Sequence, residues 1–223
     1  LSKKVNLICT AYKGLEKFFP LEKIKLTGNP VRKNLSSGKI SKKDALNVFK
    51  LSENKKTILI LGGSLGAKTL NDAMLAMTNQ GEVENQYIWQ CGKYYFDQLN
   101  SKFSEKENSN IKLLAFISRM DAAYSAADVI VSRAGALSVS ELCLVGKPVI
   151  LVPSPNVSED HQTKNAMFLV NADAALMVRD VDCEAVLINS VNTLLKDTEL
   201  SVRLSKNILG LARPNATSDI VNE

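Results

Sequence analysis

The stretch TILILGGSLGAKTLN, residues 57–71, joins an apolar run to a glycine-rich loop and then to a helical pattern. An uninterrupted run of Ile and Leu is typical of a parallel strand buried on both faces. Glycines at 62, 63 and 66 allow a sharp turn, and a helix from Ala67 would direct its unpaired N–H groups over that turn. Because those groups carry partial positive charge, the stretch favours a phosphate or diphosphate ligand, although a turn without a ligand is the simpler alternative.

The alternation of strand and helix continues along the chain. We predict strands at 57–61, 86–90, 111–114, 129–132, 148–152 and 175–178, and helices at 67–79, 120–126, 137–144, 161–172 and 183–195. Right-handed crossovers at these spacings give an α/β fold with a doubly wound parallel sheet. Ligands of such sheets bind beyond the carboxyl ends of the strands, so the loops after residues 61, 115, 132 and 152 are expected to line one crevice.

The composition is that of a globular protein. Hydrophobic residues make up 45% of the 223 residues and charged residues 23%, ordinary values that suggest neither a fibrous repeat nor disorder. No apolar run is long enough to span a bilayer, so a cytosolic location is the default expectation. The net charge is +5, and lysines are concentrated in residues 1–56; this suits an anionic membrane or nucleotide, although a solvated lysine-rich surface is the simpler interpretation. The four cysteines lack CxxC spacing, and we expect them to be reduced core residues.

Polar residues follow several predicted strands. Ser64 offers a hydroxyl and an N–H to an anion. Glu141, one turn into a predicted helix, is placed to accept hydrogen bonds from a ribose diol, or simply to interact with the helix dipole. Arg133 suits either a phosphate or a neighbouring carboxylate. His161, the single histidine, stands at a helix start, where a cap or surface role competes with catalysis.

Two further motifs give alternatives. GGSLG at 62–66 satisfies G-x-S-x-G between a strand and a helix, and with Asp128 and His161 downstream it indicates a possible serine hydrolase nucleophile at Ser64. A non-catalytic nucleotide-binding module is a third interpretation. The DVD sequence at 180–182 resembles a metal-binding DxD, but its position before a helix favours an N-cap.

Five blocks taken together resemble one family, the MurG family of bacterial UDP-N-acetylglucosamine transferases, which convert lipid I to lipid II in peptidoglycan synthesis. The blocks are GNPVR at 28–32, GGSLGAKTLN at 62–71, AFISRM at 115–120, SRAGALSVSE at 132–141 and EDHQTKNA at 159–166. The likeness covers essentially the whole chain but only the C-terminal part of the family's sequence. Since the chain begins at Leu1 and not Met, we expect an upstream segment to be missing.

The resemblance implies a GT-B architecture in which this Rossmann-like C-terminal part holds the sugar nucleotide. Residues 1–31 would end the missing acceptor domain, 32–208 would form the UDP-sugar domain, and 209–223 would cross back. Matching motifs imply that Arg32 lies near the nucleotide, that the Ser64 loop binds the diphosphate and that the Ile117 backbone contacts uracil. The remaining implied donor contacts are Ala136, Leu137 and Ser138 at a helix start, Glu141 on the ribose hydroxyls, and Gln162 with His161 on the N-acetylglucosamine.

The same resemblance implies what this chain lacks. The histidine proposed as the family's general base lies in the missing part, so no catalytic residue, metal or cofactor is expected here, and the chain alone should bind the donor without turnover. The expected partners are UDP-N-acetylglucosamine, lipid I through the missing domain, and a membrane surface, with no nucleic acid. The expected location is peripheral, on the cytoplasmic face of the bacterial inner membrane.

Overall fold

The computed structural model describes residues 4–12, 14–32, 35, 40–79, 84–104, 110–157 and 160–223. Within them the strands are β1 Ile8–Thr10, β2 Ile24–Leu26, β3 Thr57–Leu61, β4 Gln86–Gln90, β5 Ile111–Leu114, β6 Val129–Ser132, β7 Val149–Leu151 and β8 Leu176–Met177. The α-helices are α1 Lys42–Val48, α2 Lys68–Asn79, α3 Lys93–Ser104, α4 Met120–Ala126, α5 Ala136–Val145, α6 His161–Asn171, α7 Cys183–Lys196, α8 Thr198–Gly210 and α9 Ala216–Val221.

Six strands form one parallel sheet in the order β5-β4-β3-β6-β7-β8. The chain runs outward from β3 through β4 to β5, then returns to the other side of β3 and runs outward again through β6, β7 and β8. The direction of winding therefore changes between β3 and β6, and their carboxyl ends form the switch point. The predicted doubly wound parallel sheet is confirmed.

Strand β3 is buried along its whole length because helices cover both faces of the sheet. Its alternate residues enter different cores: Leu59 and Leu61 belong to one apolar cluster, with α4 and α5. Ile58 and Ile60 belong to the other, with α2 and α7. This division follows from the two-residue period of a strand, and it holds the loop after Leu61 at a fixed position above the sheet.

One helix was not predicted. Helix α3, Lys93–Ser104, follows the β4 strand and packs against the second core through Tyr95, Phe96 and Leu99. Its first turn combines two tyrosines and a phenylalanine, residues that favour strands in isolation, so its local sequence does not indicate a helix. Packing on the sheet decides its structure.

The segment before the large sheet forms a small parallel pair of its own, β1 with β2. Gly28, which follows β2, has a φ of +90°, and a Cβ there would lie 2.6 Å from the Cβ of Arg213. The C-terminal segment thus packs closely on the residues that precede the large domain, and Lys25 pairs with Glu223. The domain limits at 31/32 and 208/209 remain predictions.

The cysteine prediction is wrong at one position. Cys91, Cys143 and Cys183 are buried free thiols, as expected, but Cys9 is exposed in the middle of β1. In the three-residue strand β1, side chains alternate between two faces, and the middle residue, Cys9, points to the solvent-exposed face.

Candidate functional site

The glycine loop, residues 62–66, lies at the carboxyl end of β3. Gly66 has a left-handed backbone, with φ of +85°, and a Cβ there would lie 2.1 Å from the carbonyl oxygen of Cys91. Gly92 approaches from the other side, where a Cβ would lie 2.2 Å from the Gly66 nitrogen. Because neither position has room for a side chain, the loop makes direct backbone contact with the connection between β4 and α3. This contact fixes the start of α2, one residue later than predicted.

A cavity of about 500 Å³ lies at the switch point, between the ends of β3 and β6. The residues that line it come from the glycine loop, from the starts of α2 and α5 and from neighbouring loops: residues 62–69, Tyr95, Arg133, Gly135, Ser138, Ser154, Asn156, Gln162 and Asp180. Two helices begin at this cavity, so unpaired N–H groups and partial positive charge from both meet there. Such an arrangement suits an anion with several acceptor oxygens.

A partly buried ion pair lines one wall of this cavity. Arg133 donates to Asp180 and also to the carbonyl oxygen of Val152, at 3.0 Å. Thr69 donates to the second oxygen of Asp180 at 2.8 Å. The side chains of Arg133 and Asp180 are only 14% and 16% exposed. Of the two partners considered for Arg133, the structure shows the carboxylate, and through it the loop after β6 is joined to α2.

The DVD sequence therefore has a different role from the one predicted. Asp182 precedes α7, but its side chain makes no capping hydrogen bond and instead accepts from Arg179 at 2.6 Å. Asp180 is held by Arg133 and Thr69. Asp182 stands at the predicted N-cap position of α7 but does not cap the helix, because its carboxylate accepts from the neighbouring Arg179, while Asp180 is held by Arg133 from another loop. Among the described residues, no group of His, Cys, Asp and Glu is arranged to hold a metal ion.

A second cavity, of about 200 Å³, continues from the first and shares Gly63, Ser64, Arg133 and Ser138 with it. Its other lining residues come from the ends of β3, β4 and β6, from the loop after β5, from α4 and α5, and from the segment before α1: Arg32, Leu61, Gln90, Phe116, Ile117, Met120, Tyr124, Ser132 and Glu141. The four loops expected to line one crevice are thus brought together in two joined cavities.

Glu141 is 8% exposed and has a partner on each carboxylate oxygen. Arg32 donates from Nε to Oε1 at 2.7 Å, and the hydroxyl of Tyr124 donates to Oε2 at 3.0 Å. Burial raises the pKa of Tyr124 well above its ordinary value and the Glu141 carboxylate raises it further, whereas Arg32 lowers it. Tyr124 is consequently a neutral hydrogen-bond donor at neutral pH. Sequence reasoning did not identify Tyr124 as part of the site.

Two residues from the first thirty of the chain bond the start of helix α5. The carbonyl oxygen of Ala136 accepts from the hydroxyl of Tyr12 at 2.9 Å and from the amide of Asn29 at 3.4 Å. Ser138 lines both cavities. Ala136 and Leu137 are exposed at the helix start and belong to the lining of neither cavity.

The side-chain amide of Gln162 lines the first cavity, and its oxygen already accepts two hydrogen bonds from the backbone. Its Oε1 accepts from the backbone nitrogens of Ala134, at 3.2 Å, and Ser154, at 2.9 Å. Gln162 therefore joins the loops after β6 and β7, and its NH2 group is the end that can donate to a ligand. His161 is the exposed first residue of α6 and is not among the residues that line either cavity. Glu159, which begins the matching motif, lies outside the described residues.

The residues of the hydrolase alternative do not come together. Asp128 precedes β6 at the amino end of the sheet, where it accepts from the Thr57 nitrogen at 2.9 Å and from Lys42 at 2.6 Å. Ser64 follows the carboxyl end of β3, about 13 Å away along the strand. A triad of Ser64, His161 and Asp128 therefore cannot form.

The sequence profile of the glycosyltransferase family 28 C-terminal domain matches residues 57–217, which include the six-stranded sheet and all the lining residues of both cavities except Arg32. The chain belongs to glycosyltransferase family 28. The glycine loop, the arginine–aspartate pair and Glu141 are accordingly features of a family 28 domain, and the predicted GT-B fold class is confirmed.

Known relatives of this family 28 chain agree on one enzyme. The chain is 52% identical to the "UDP-N-acetylglucosamine--N-acetylmuramyl-(pentapeptide) pyrophosphoryl-undecaprenol N-acetylglucosamine transferase" of Flavobacterium psychrophilum, and 49% identical to the protein of the same name in Parabacteroides distasonis. These matches cover 100% of the chain but 60% and 61% of the relatives. The chain thus spans about 60% of the length of these curated relatives.

A solved structure extends the comparison. The crystal structure of Acinetobacter baumannii MurG is 31% identical in sequence, with a TM-score of 0.73, and the match covers 99% of this chain and 60% of that one. The resemblance to the MurG family that the motifs indicated is therefore confirmed.

Proposed function

We propose that this chain is the donor-binding part of an inverting glycosyltransferase that moves N-acetylglucosamine from UDP-N-acetylglucosamine to lipid I and so forms lipid II. The observation that carries the proposal is the pair of joined cavities, one with two helix N-termini and the other with a buried carboxylate. The names of the relatives supply the sugar nucleotide and the acceptor.

The shape of the two cavities supports a division of the donor between them. The diphosphate would lie against the Ser64 loop, where the cavities meet, because the N–H groups of α2 and α5 stabilise its charge. The uridine would occupy the smaller cavity. The backbone of Ile117, a residue that lines this cavity, would contact the uracil edge.

The sugar and the ribose would lie at opposite ends of the site. Glu141 would accept the ribose hydroxyls, with Arg32 beside it. The NH2 group of Gln162 would donate to the N-acetylglucosamine, with His161 nearby at the start of α6. Ala136, Leu137 and Ser138 would contact the donor from the first turn of α5.

The chemistry assigned to this chain is stabilisation of the leaving group. In a single inverting displacement, the acceptor hydroxyl attacks C1 of the sugar, the C1–oxygen bond to the diphosphate breaks, and UDP leaves. Charge develops on the diphosphate oxygens, and preorganised N–H donors lower the energy of that state. The displacement needs no enzyme nucleophile, so Ser64 acts as a hydrogen-bond donor. The general base would come from the part of the longer protein that precedes this chain.

Membrane contact is a further part of the proposal. Among the described residues, no helix has both the length and the apolar character needed to cross a bilayer. Since lipid I carries a polyprenyl chain, we expect the whole protein to associate peripherally with the cytoplasmic face of the inner membrane.

The proposal is tested by removing the ribose acceptor. Glu141→Ala and Glu141→Gln are expected to weaken UDP binding by about tenfold or more, because each hydrogen bond to a charged group is worth roughly 1.5–3 kcal/mol. Glu199→Ala, which removes an exposed carboxylate from the first turn of α8, is the control and should bind as the wild type does. Wild-type affinity in both Glu141 variants, measured by titration calorimetry, would contradict the proposed site.

A further inference from the structure

The two oxygens of Glu141 have partners of very different solvent exposure. Oε1 accepts from Arg32, whose side chain is 45% exposed and whose backbone belongs to the segment before α1. Oε2 accepts from Tyr124, which is 3% exposed on α4. One partner is thus accessible to solvent or a ligand, and the other is enclosed.

The surroundings of Tyr124 fix its hydroxyl. Tyr124 belongs to the apolar cluster that packs α4 against the sheet, together with Met120, Ala123 and Leu142. Its neighbour along the cavity wall is Glu141 itself, on α5. A tyrosine ring has only two side-chain torsions, so burial of the ring fixes the position of the oxygen.

We propose that Tyr124 is a positioning residue: by holding Oε2 of Glu141, it aims Oε1 at the ribose hydroxyls of a bound uridine diphosphate. The inference rests on the proposed function. When the nucleotide enters, the exposed Arg32 gives up Oε1 to the ribose, and Tyr124 keeps the carboxylate in the same orientation. Selectivity for ribose thus depends on a hydroxyl that itself makes no contact with the ligand.

A purely structural role for Tyr124 makes a different prediction. If its hydroxyl only satisfied a buried carboxylate, removal would lower stability and weaken every nucleotide by a similar factor. If it positions Glu141, removal would weaken only those nucleotides that carry ribose hydroxyls. The ratio of affinities for UDP and for 2′,3′-dideoxyuridine diphosphate distinguishes the two roles, because both ligands share the uracil and the diphosphate.

The experiment measures both ligands by titration calorimetry with the whole chain and its Tyr124→Phe variant. We expect the wild type to prefer UDP by about 30-fold, from charge-assisted hydrogen bonds to Glu141. In Tyr124→Phe, UDP affinity should fall by about tenfold while dideoxy affinity is unchanged, which reduces the preference to about threefold. An unchanged 30-fold preference would overturn the inference.

Two controls separate the possible failures. Tyr87→Phe removes a second tyrosine hydroxyl that is also 3% exposed, on β4, and should leave the preference unchanged. Arg32→Ala removes the partner that a ribose hydroxyl would displace from Oε1 of Glu141, so the preference for UDP should not fall. A collapse of the preference in Arg32→Ala would show that Arg32 positions the carboxylate and would refute the role of Tyr124, even if Tyr124→Phe does not fold.

The double variant Tyr124→Phe/Glu141→Ala completes the cycle. Since Tyr124 acts through Glu141, the double variant should bind UDP no more weakly than Glu141→Ala alone. An additional tenfold loss would overturn the inference. Failure of the proposed function is distinguishable from failure of the Tyr124 inference. If the proposed function is wrong, the wild type itself would show no preference for UDP over the dideoxy analogue.

Discussion

At the scale of single residues, the site depends on contacts between positions that are far apart in the sequence. The residue types of Ser64 and Glu141 and their places at predicted helix starts were enough to suggest a nucleotide site. Tyr124 and Asp180 could not be found in this way, because their partners lie 17 and 47 residues away. The DVD pattern suggested a helix cap, but Asp180 pairs with Arg133 on another loop and Asp182 pairs with the neighbouring Arg179.

The Arg133–Asp180 pair leads to a stability prediction. Asp180→Ala leaves a guanidinium that is only 14% exposed without its carboxylate, so the free energy of unfolding should fall by about 2–3 kcal/mol. Asp182→Ala removes the exposed partner of Arg179 in the same DVD sequence and should change that free energy by less than about 1 kcal/mol. Urea unfolding followed by circular dichroism measures both variants. Equal losses would contradict a structural role for the buried pair.

At the scale of elements, the connection from β3 to α2 was the most predictable part of the fold. Its strand is continuously apolar and its glycines mark a turn, so both local and tertiary preferences agree. The structure adds Asn71, whose amide accepts from the Trp89 indole at 2.9 Å and donates to the carbonyl oxygen of Cys91 at 3.1 Å. Helix α2 is thereby fixed to β4. Helix α3 was missed because its aromatic first turn favours a strand in isolation.

The backbone contact of the glycine loop can be tested directly. Gly66→Ala introduces a Cβ at a positive φ and 2.1 Å from a carbonyl oxygen, so it should lower the free energy of unfolding by about 2–4 kcal/mol and weaken UDP binding. Gly210→Ala, where nothing lies within 4 Å and the backbone is helical, should be neutral or stabilising by up to about 1 kcal/mol. If Gly66→Ala unfolds at the wild-type urea concentration, the loop is not fixed as described.

At the scale of the whole molecule, the sequence predicted the parallel sheet and its switch point because regular strand–helix spacing leaves few topologies. It did not predict how the first thirty residues meet the large domain. Tyr12 and Asn29 both donate to the carbonyl oxygen of Ala136, at the start of α5. The segment that precedes the domain is thus connected to the helix that we propose contacts the donor, a relationship that only the folded chain reveals.

The central claim is that these joined cavities form a working site for a uridine diphosphate sugar. Titration calorimetry of the purified chain with UDP-N-acetylglucosamine tests it most directly, with UDP-N-acetylgalactosamine and ADP-glucose as controls. We predict weak to moderate binding that is selective for UDP-N-acetylglucosamine, and no transfer of the sugar by the chain alone. Equal binding of all three sugar nucleotides, or of none, would contradict the claim.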